Sequence, residues 1–170
     1  MKYFSGVDKY PFLQKLMNNW PAILEEYKKV QALAVEWPEK FLYTDGWSVI
    51  GLRFQTEDNK SVQALCPVTM RVINEIADVT TAGFSILKAG TIIHPHEGYT
   101  DEVYRVHLGL ICPEGAWIKV GDEVMTWTEG EAFVFDDTNT HEVQNNSNAD
   151  RVILILDFLK KVYDNTDKPA

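Results

Sequence analysis

Between residues 85 and 157, two histidines, His96 and His141, are each followed at short range by an arginine, Arg105 and Arg151, and a third histidine, His107, stands beside the first arginine. Imidazole nitrogen is a ligand for iron and its first-row neighbours, whereas the planar guanidinium fork grips a carboxylate through two parallel hydrogen bonds. The runs HPHEGYTDEVYRVHLGL and WTEGEAFVFDDTNTHEVQNNSNADRVILILD set these groups on successive strand-like segments, from which they could converge inside one β-barrel. The combination suggests an oxygen-activating iron site with an organic acid bound beside it.

Residues two apart on a strand face the same way, so Arg105 and His107 share one side of their sheet while Tyr104, Val106 and Leu108 share the other. Burying a guanidinium is costly unless an anion meets it. An inward Arg105 therefore needs a carboxylate ligand or a carboxylate side chain, for which Asp101, Glu102 and Asp136 are candidates. Arg151 opens RVILILDF, a run apolar enough to be a strand buried on both faces. Taken alone it reads as a solvated edge residue. Its place ten residues after His141 suits instead the distal end of a dicarboxylate whose other end chelates a metal. His141 follows the polar turn FDDTNT and can turn its ring inward; His96 lies just past a strand, with His94 a competing ligand in the same segment. In a common non-haem iron site one residue separates the first histidine from a carboxylate. That position is Gly98, so either the metal is not iron or water fills one coordination position.

The elements that must hold these groups are legible in the patterning. From Pro11 to about Val35 apolar residues recur at three and four, which is helical, and Pro21 interrupts them, which predicts two helices. Trp47 to Phe54 reads as a strand, and Cys66 to Ile76 as a short helix with Pro67 near its start and Thr69 as its cap. Beyond Ala82, strands are predicted at 83–88, 91–94, 103–112, 116–120, 123–127, 132–135, 141–145 and 151–158. Short strands in such a series fit a mainly β fold, a double-stranded β-helix or jelly roll with helices packed on the barrel. The chain of 170 residues is expected to form one domain: a helical lead-in over 1–40, a jelly-roll core over 41–160 and a tail over 161–170, with DNTDKPA disordered. A net charge of -9 argues against nucleic acid or anionic lipid as partners, although Arg105 and Arg151 would make a local basic pocket. No leader pattern, membrane span or anchor is read, so the expectation is a cytoplasmic protein, with Cys66 and Cys112 as buried free thiols. The oligomeric state is not encoded in any pattern.

The strings YRVHLGL, WTEGEAFVFDD, THEVQN and RVILILD resemble the aspartyl/asparaginyl β-hydroxylase family of iron(II)- and 2-oxoglutarate-dependent oxygenases, with weaker similarity through FSILKAGTIIHPHEG, CPVT and WPEKFLYTDGW. In that family the metal is held by two histidines with water in place of the carboxylate, so Gly98 becomes the expected residue. The resemblance implies His96 and His141 as iron ligands and Arg151, helped by Ser85, as the partner of the distal carboxylate of 2-oxoglutarate. It implies His107 and Arg105 at the metal-proximal carboxylate, with Arg105 also near the substrate, and Asp137 hydrogen-bonded to the water. His94 takes no ligand role. Iron(II), 2-oxoglutarate and O2 would together hydroxylate an unactivated carbon of a peptide or small-molecule substrate: an aspartyl or asparaginyl residue, a free amino acid or a similar small acid. The animal enzyme that acts on aspartyl and asparaginyl residues carries basic groups at the positions of Val103 and Gly83. Their absence leaves Arg105 as the one cation for the substrate, which points to a single carboxylate or an amide near the reacting carbon.

Three other readings remain open from sequence. A cupin would use His94, His96 and Glu102 without 2-oxoglutarate; a non-catalytic module would keep the barrel for a ligand or partner; a halogenase-like site would place chloride at the position left by Gly98, against the charge of Asp137.

Overall fold

The computed structural model describes residues 2–164. Phe4–Ser5 (β1) leads into the helix Leu13–Val30 (α1). Val35–Glu36 (β2), Trp47–Phe54 (β3) and Glu57–Asp58 (β4) follow, then the helices Lys60–Gln63 (α2) and Pro67–Asn74 (α3). Next come Val79–Leu87 (β5), Ile92–His96 (β6), Val103–Ile111 (β7), Ala116–Val120 (β8) and Glu123–Met125 (β9). Ala132–Phe135 (β10), His141–Asn145 (β11) and Arg151–Leu159 (β12) complete the strands, and Lys160–Asp164 (α4) ends the described chain. Each predicted strand is present, shifted by a few residues at its ends. Residues 161–164 of the expected tail belong to α4, and residues 165–170 lie outside the described residues.

The strands form an eight-stranded sheet in the order β1-β10-β7-β12-β5-β3-β2, with β4 paired to β3, and a four-stranded sheet in the order β6-β11-β8-β9. The fold is a mainly β jelly roll with helices against its larger sheet. Strand alternation divides the interior into two compartments. Val106, Leu108 and Leu110 of β7, Val152, Leu154, Leu156 and Phe158 of β12, and Ala82, Phe84 and Ile86 of β5 pack with Leu13, Leu16, Ile23 and Tyr27 of α1 and Val72 and Ile73 of α3. The opposite faces of the same strands, including Leu87 and Ile153, close on Ile93, Ile118, Val120 and Val143 of the smaller sheet. The inward face of β7 and β12 thus carries Arg105, His107, Arg151 and Asp157, while their outward face seals the helices.

Two local expectations fail for physical reasons. Pro21 does not split the first helix, because α1 runs unbroken for 18 residues. The proline sits on the exposed side, where solvent can serve the carbonyl that its ring leaves unpaired, and burial of the opposite face outweighs the missing donor. Thr69 does not cap α3 but lies inside it, with Pro67 at its first turn. The cap comes from another element: the buried Glu26 carboxylate of α1 accepts hydrogen bonds from Val68 N (3.0 Å), Thr69 N (2.7 Å) and Thr69 Oγ1 (2.8 Å). Both cysteines are free as expected, although Cys112 is only partly buried.

Candidate active site

Register brings the two metal-type histidines together: His141 of β11 lies directly opposite His96 of β6. A bulge makes this possible, since two steps along β11, from His141 to Val143, match three along β6, from His96 to Ile93. That extra residue turns His96 toward the interior with Ile93 and leaves His94 exposed. The two rings stand 4.3 Å apart, centroid to centroid. His96 Nδ1 lies 2.7 Å from the His94 carbonyl oxygen and His141 Nδ1 2.9 Å from that of Asn139. A carbonyl only accepts, so both Nδ1 atoms carry the hydrogen and both Nε2 lone pairs are left for a metal. Burial, with His96 and Arg105 nearby, pushes the His141 imidazole down to about 4, which keeps it neutral and able to ligate.

Gly98 and Asp137 form one unit. A Cβ on Gly98 would fall 2.4 Å from the Asp137 carboxylate, so Asp137 fills the space that a side chain at 98 would need. Asp137 is fully buried, and neither carboxylate oxygen has a hydrogen-bond partner among the described residues. Its Oδ2 lies 3.3 Å from Arg105 Nη1, an ion pair without hydrogen-bond alignment. Burial raises its affinity for a proton, and Arg105 opposes that effect.

The arginine nearest this carboxylate is already engaged. In the β7/β12 register Asp157 stands opposite Arg105, which donates from Nε to Oδ1 at 2.8 Å and from Nη2 to Oδ2 at 2.9 Å. Tyr99 donates its hydroxyl to the same Oδ2 at 3.3 Å. The carboxylate that meets Arg105 is therefore Asp157, with Asp137 behind it, and not Asp101, Glu102 or Asp136; Asp136 is held instead by Lys160 at 2.6 Å. Burial lowers the Arg105 proton affinity, and the charge and hydrogen bonds of Asp157 more than restore it.

Arg151 has no such partner. It is 2% exposed, not a solvated edge residue, and its guanidinium lies 4.7 Å from the Trp127 ring. Its hydrogen bond from Nη2 to Ser85 Oγ is 3.2 Å long, Nε is unsatisfied, and no carboxylate pairs with it among the described residues. Burial, opposed only by Cys112, pushes it down to about 9. Ser85 Oγ also accepts from Trp47 Nε1 at 3.0 Å, which leaves the serine proton free to donate. His107, buried between Trp127, Phe133 and Phe135, accepts from Trp127 Nε1 on Nδ1 at 3.2 Å. Indole N–H only donates, so the His107 proton is on Nε2, and burial beside two arginines keeps the ring neutral. Gly109 permits the close passage that places Trp127, since a Cβ there would meet Thr128 O at 2.4 Å.

One cavity is lined by His96, His141, Arg105, His107, Ser85 and Arg151, with Trp47, Phe135, Val143 and four isoleucines around them. Six of the seven predicted site residues therefore share a cavity, and Asp137 touches it through Arg105. Sequence reasoning missed Trp47, Trp127, Tyr99 and Asp157. For Asp157 the signal was available, because the alternation that turns Arg151 inward carries through 153 and 155 to 157.

A description of the Aspartyl/Asparaginyl beta-hydroxylase family matches residues 17–161. The chain belongs to that hydroxylase family. It is 35% identical over 164 residues to an ornithine lipid ester-linked acyl 2-hydroxylase of Rhizobium tropici, covering 89% of this chain and 58% of that protein. It is 31% identical over 155 residues to the mouse aspartyl/asparaginyl beta-hydroxylase, covering 85% of this chain and 21% of that one. The chain thus spans only part of the length of these relatives. Among solved structures, a Pseudomonas putida prolyl-4-hydroxylase superposes with a TM-score of 0.58 at 14% identity, covering 84% of this chain and 86% of that one. A 2OG-Fe(II) oxygenase family oxidoreductase of Burkholderia pseudomallei gives 0.57 at 14% identity, covering 80% and 77%. These likenesses concern the fold.

The donor set suits the groups that the family fold implies. Two imidazoles that direct Nε2 away from their carbonyl partners suit iron(II), the orphaned Asp137 carboxylate suits a water beside it, and the orphaned Arg151 suits an acid. His94 and Glu102 are both exposed, and among the described residues no three His, Cys, Asp or Glu side chains converge, so the cupin ligand set is not assembled. Among the described residues, no helix is long and apolar enough to cross a membrane.

Proposed function

We propose that this chain is an iron(II)- and 2-oxoglutarate-dependent hydroxylase in which His96 and His141 hold the metal. The observation that carries this reading is Arg151: a guanidinium buried beside Ser85 with an unsatisfied Nε and no carboxylate, in the same cavity as two metal-ready imidazoles. When bound, iron(II), 2-oxoglutarate and O2 supply oxidative decarboxylation of the keto acid to succinate and insertion of oxygen into a C–H bond. Arg151 and Ser85 grip the distal carboxylate and set the direction in which the acid lies. His107, fixed as the Nε2–H tautomer by Trp127, donates to the metal-side carboxylate. Asp137, which itself fills the space beside Gly98, would offer its unpartnered oxygens to a water next to it. The apolar lining of Ile93, Ile118, Val143, Ile153 and Ile155 excludes bulk water from these contacts.

The names of the relatives share one chemical feature. The β-carbon of an aspartyl or asparaginyl residue and carbon 2 of an ester-linked acyl chain are each bonded to a carbonyl carbon. The carbon hydroxylated here is proposed to be of that type, in a peptide or an acyl compound.

Anaerobic titration of the protein with iron(II) and 2-oxoglutarate tests the cofactor class. A weak visible metal-to-ligand charge-transfer band that needs both components is expected. Iron binding with no such band would overturn the 2-oxoglutarate reading.

A further inference from the structure

We infer that the carbonyl beside the reacting carbon is uncharged, an ester or an amide, and that Asp157 sets this preference by holding Arg105 away from substrate carboxylates. The inference rests on the cofactor reading above. Among the described residues that line the cavity, the fixed cations are Arg105 and Arg151. Arg151 belongs to the acid cofactor. Arg105 presents two of its three nitrogens to Asp157, at 2.8 and 2.9 Å, and the third to Asp137 at 3.3 Å. With both carboxylates ionised this cluster has a net charge of −1, and with a proton on Asp137 it has none. In neither state does it offer a positive charge to a ligand.

The clamp is built to stay closed. Asp157 is 0% exposed and accepts a further hydrogen bond from Tyr99, whose ring reaches the surface at 52% exposure. Lys160 is occupied by Asp136 and does not line the cavity. A carboxylate on the substrate would thus leave water for a site with no free cation and an anionic or neutral cluster nearby, a juxtaposition that strongly disfavours binding. An ester or amide carbonyl needs no counter-ion, and beyond the residues assigned to metal and cofactor the lining is apolar or aromatic: Trp47, Phe135, Val143 and four isoleucines.

The test uses matched probes that differ only in charge: one peptide with Asn or with Asp at the same position, and methyl octanoate or octanoate. Binding is read anaerobically from the change that each causes in the charge-transfer band of the protein loaded with iron(II) and 2-oxoglutarate. In at least one pair the neutral member is expected to bind ~10-fold or more tightly than its acid. Which pair responds tells a peptide source from an acyl source. Asp137→Asn/Asp157→Asn, which removes both negative charges that face Arg105 and leaves its charge unopposed, should shrink the preference toward unity. The double variant Arg105→Met/Asp157→Leu removes both charges together and should keep the neutral preference, because it too lacks a free cation. Tighter binding of the acids, binding of none of the four probes, or an unchanged preference in a folded Asp137→Asn/Asp157→Asn would each overturn the inference. Absence of the band from the wild-type protein would fail the cofactor reading itself.

Discussion

The two arginines in the cavity are opposites. Arg105 is met by a bidentate carboxylate on the neighbouring strand and a second carboxylate behind it, whereas Arg151, more deeply buried, has a serine hydroxyl, an indole face and an unsatisfied Nε among the described residues. β12 serves both, with Arg151 at its start and Asp157 near its end, on one inward face. A buried guanidinium whose anion the chain supplies is scaffold; one whose anion is missing is held ready for a ligand at the expense of stability.

That contrast can be broken or sharpened by substitution. The largest expected effect is at the metal: His96→Ala and His141→Ala should each abolish iron binding, measured by equilibrium dialysis, while His94→Ala leaves it intact. Equal loss in His94→Ala would favour a cupin-type ligand set. Next comes stability. Asp157→Ala removes both hydrogen bonds of Arg105 and leaves it only the unaligned Asp137 carboxylate, and should cost about 3–5 kcal/mol in urea unfolding. Arg151→Met breaks no ion pair and relieves an uncompensated burial, so the cofactor-free protein should be as stable as wild type or more so. A loss in Arg151→Met as large as that in Asp157→Ala would dissolve the distinction between the two arginines. Gly98→Ala should cost about 1–3 kcal/mol, because its methyl group would displace the Asp137 carboxylate; a neutral result would show that the two residues are not coupled in space. The smallest effect is expected in Trp127→Phe, which keeps the ring over Arg151 and removes the donor that fixes the His107 tautomer. Its 2-oxoglutarate affinity should fall by about 1 kcal/mol, read by calorimetry, and wild-type affinity would show that the indole N–H is dispensable.

Much of this was legible in the chain because strand alternation is a strong local signal. It gave the strands after Ala82 and the shared face of Arg105 and His107. What escaped depends on register and packing. The sequence near Arg105 offers Asp101, Glu102 and Asp136 as partners, but only the β7/β12 register sets Asp157 opposite it. The bulge that turns His96 inward leaves no mark in HPHEG, and Trp127 reaches Arg151 through a crossing that Gly109 permits. At Pro21 the local tendency of proline to break a helix is overridden by the buried face of α1.

The most direct test compares 2-oxoglutarate affinity in wild type and Arg151→Met, both loaded anaerobically with iron(II). Truncating a buried charge partner predicts a loss of about 2–5 kcal/mol, roughly 30- to 5000-fold, with iron affinity unchanged. Wild-type affinity for 2-oxoglutarate in folded, iron-loaded Arg151→Met would contradict the assignment of the unpaired arginine to an acid cofactor.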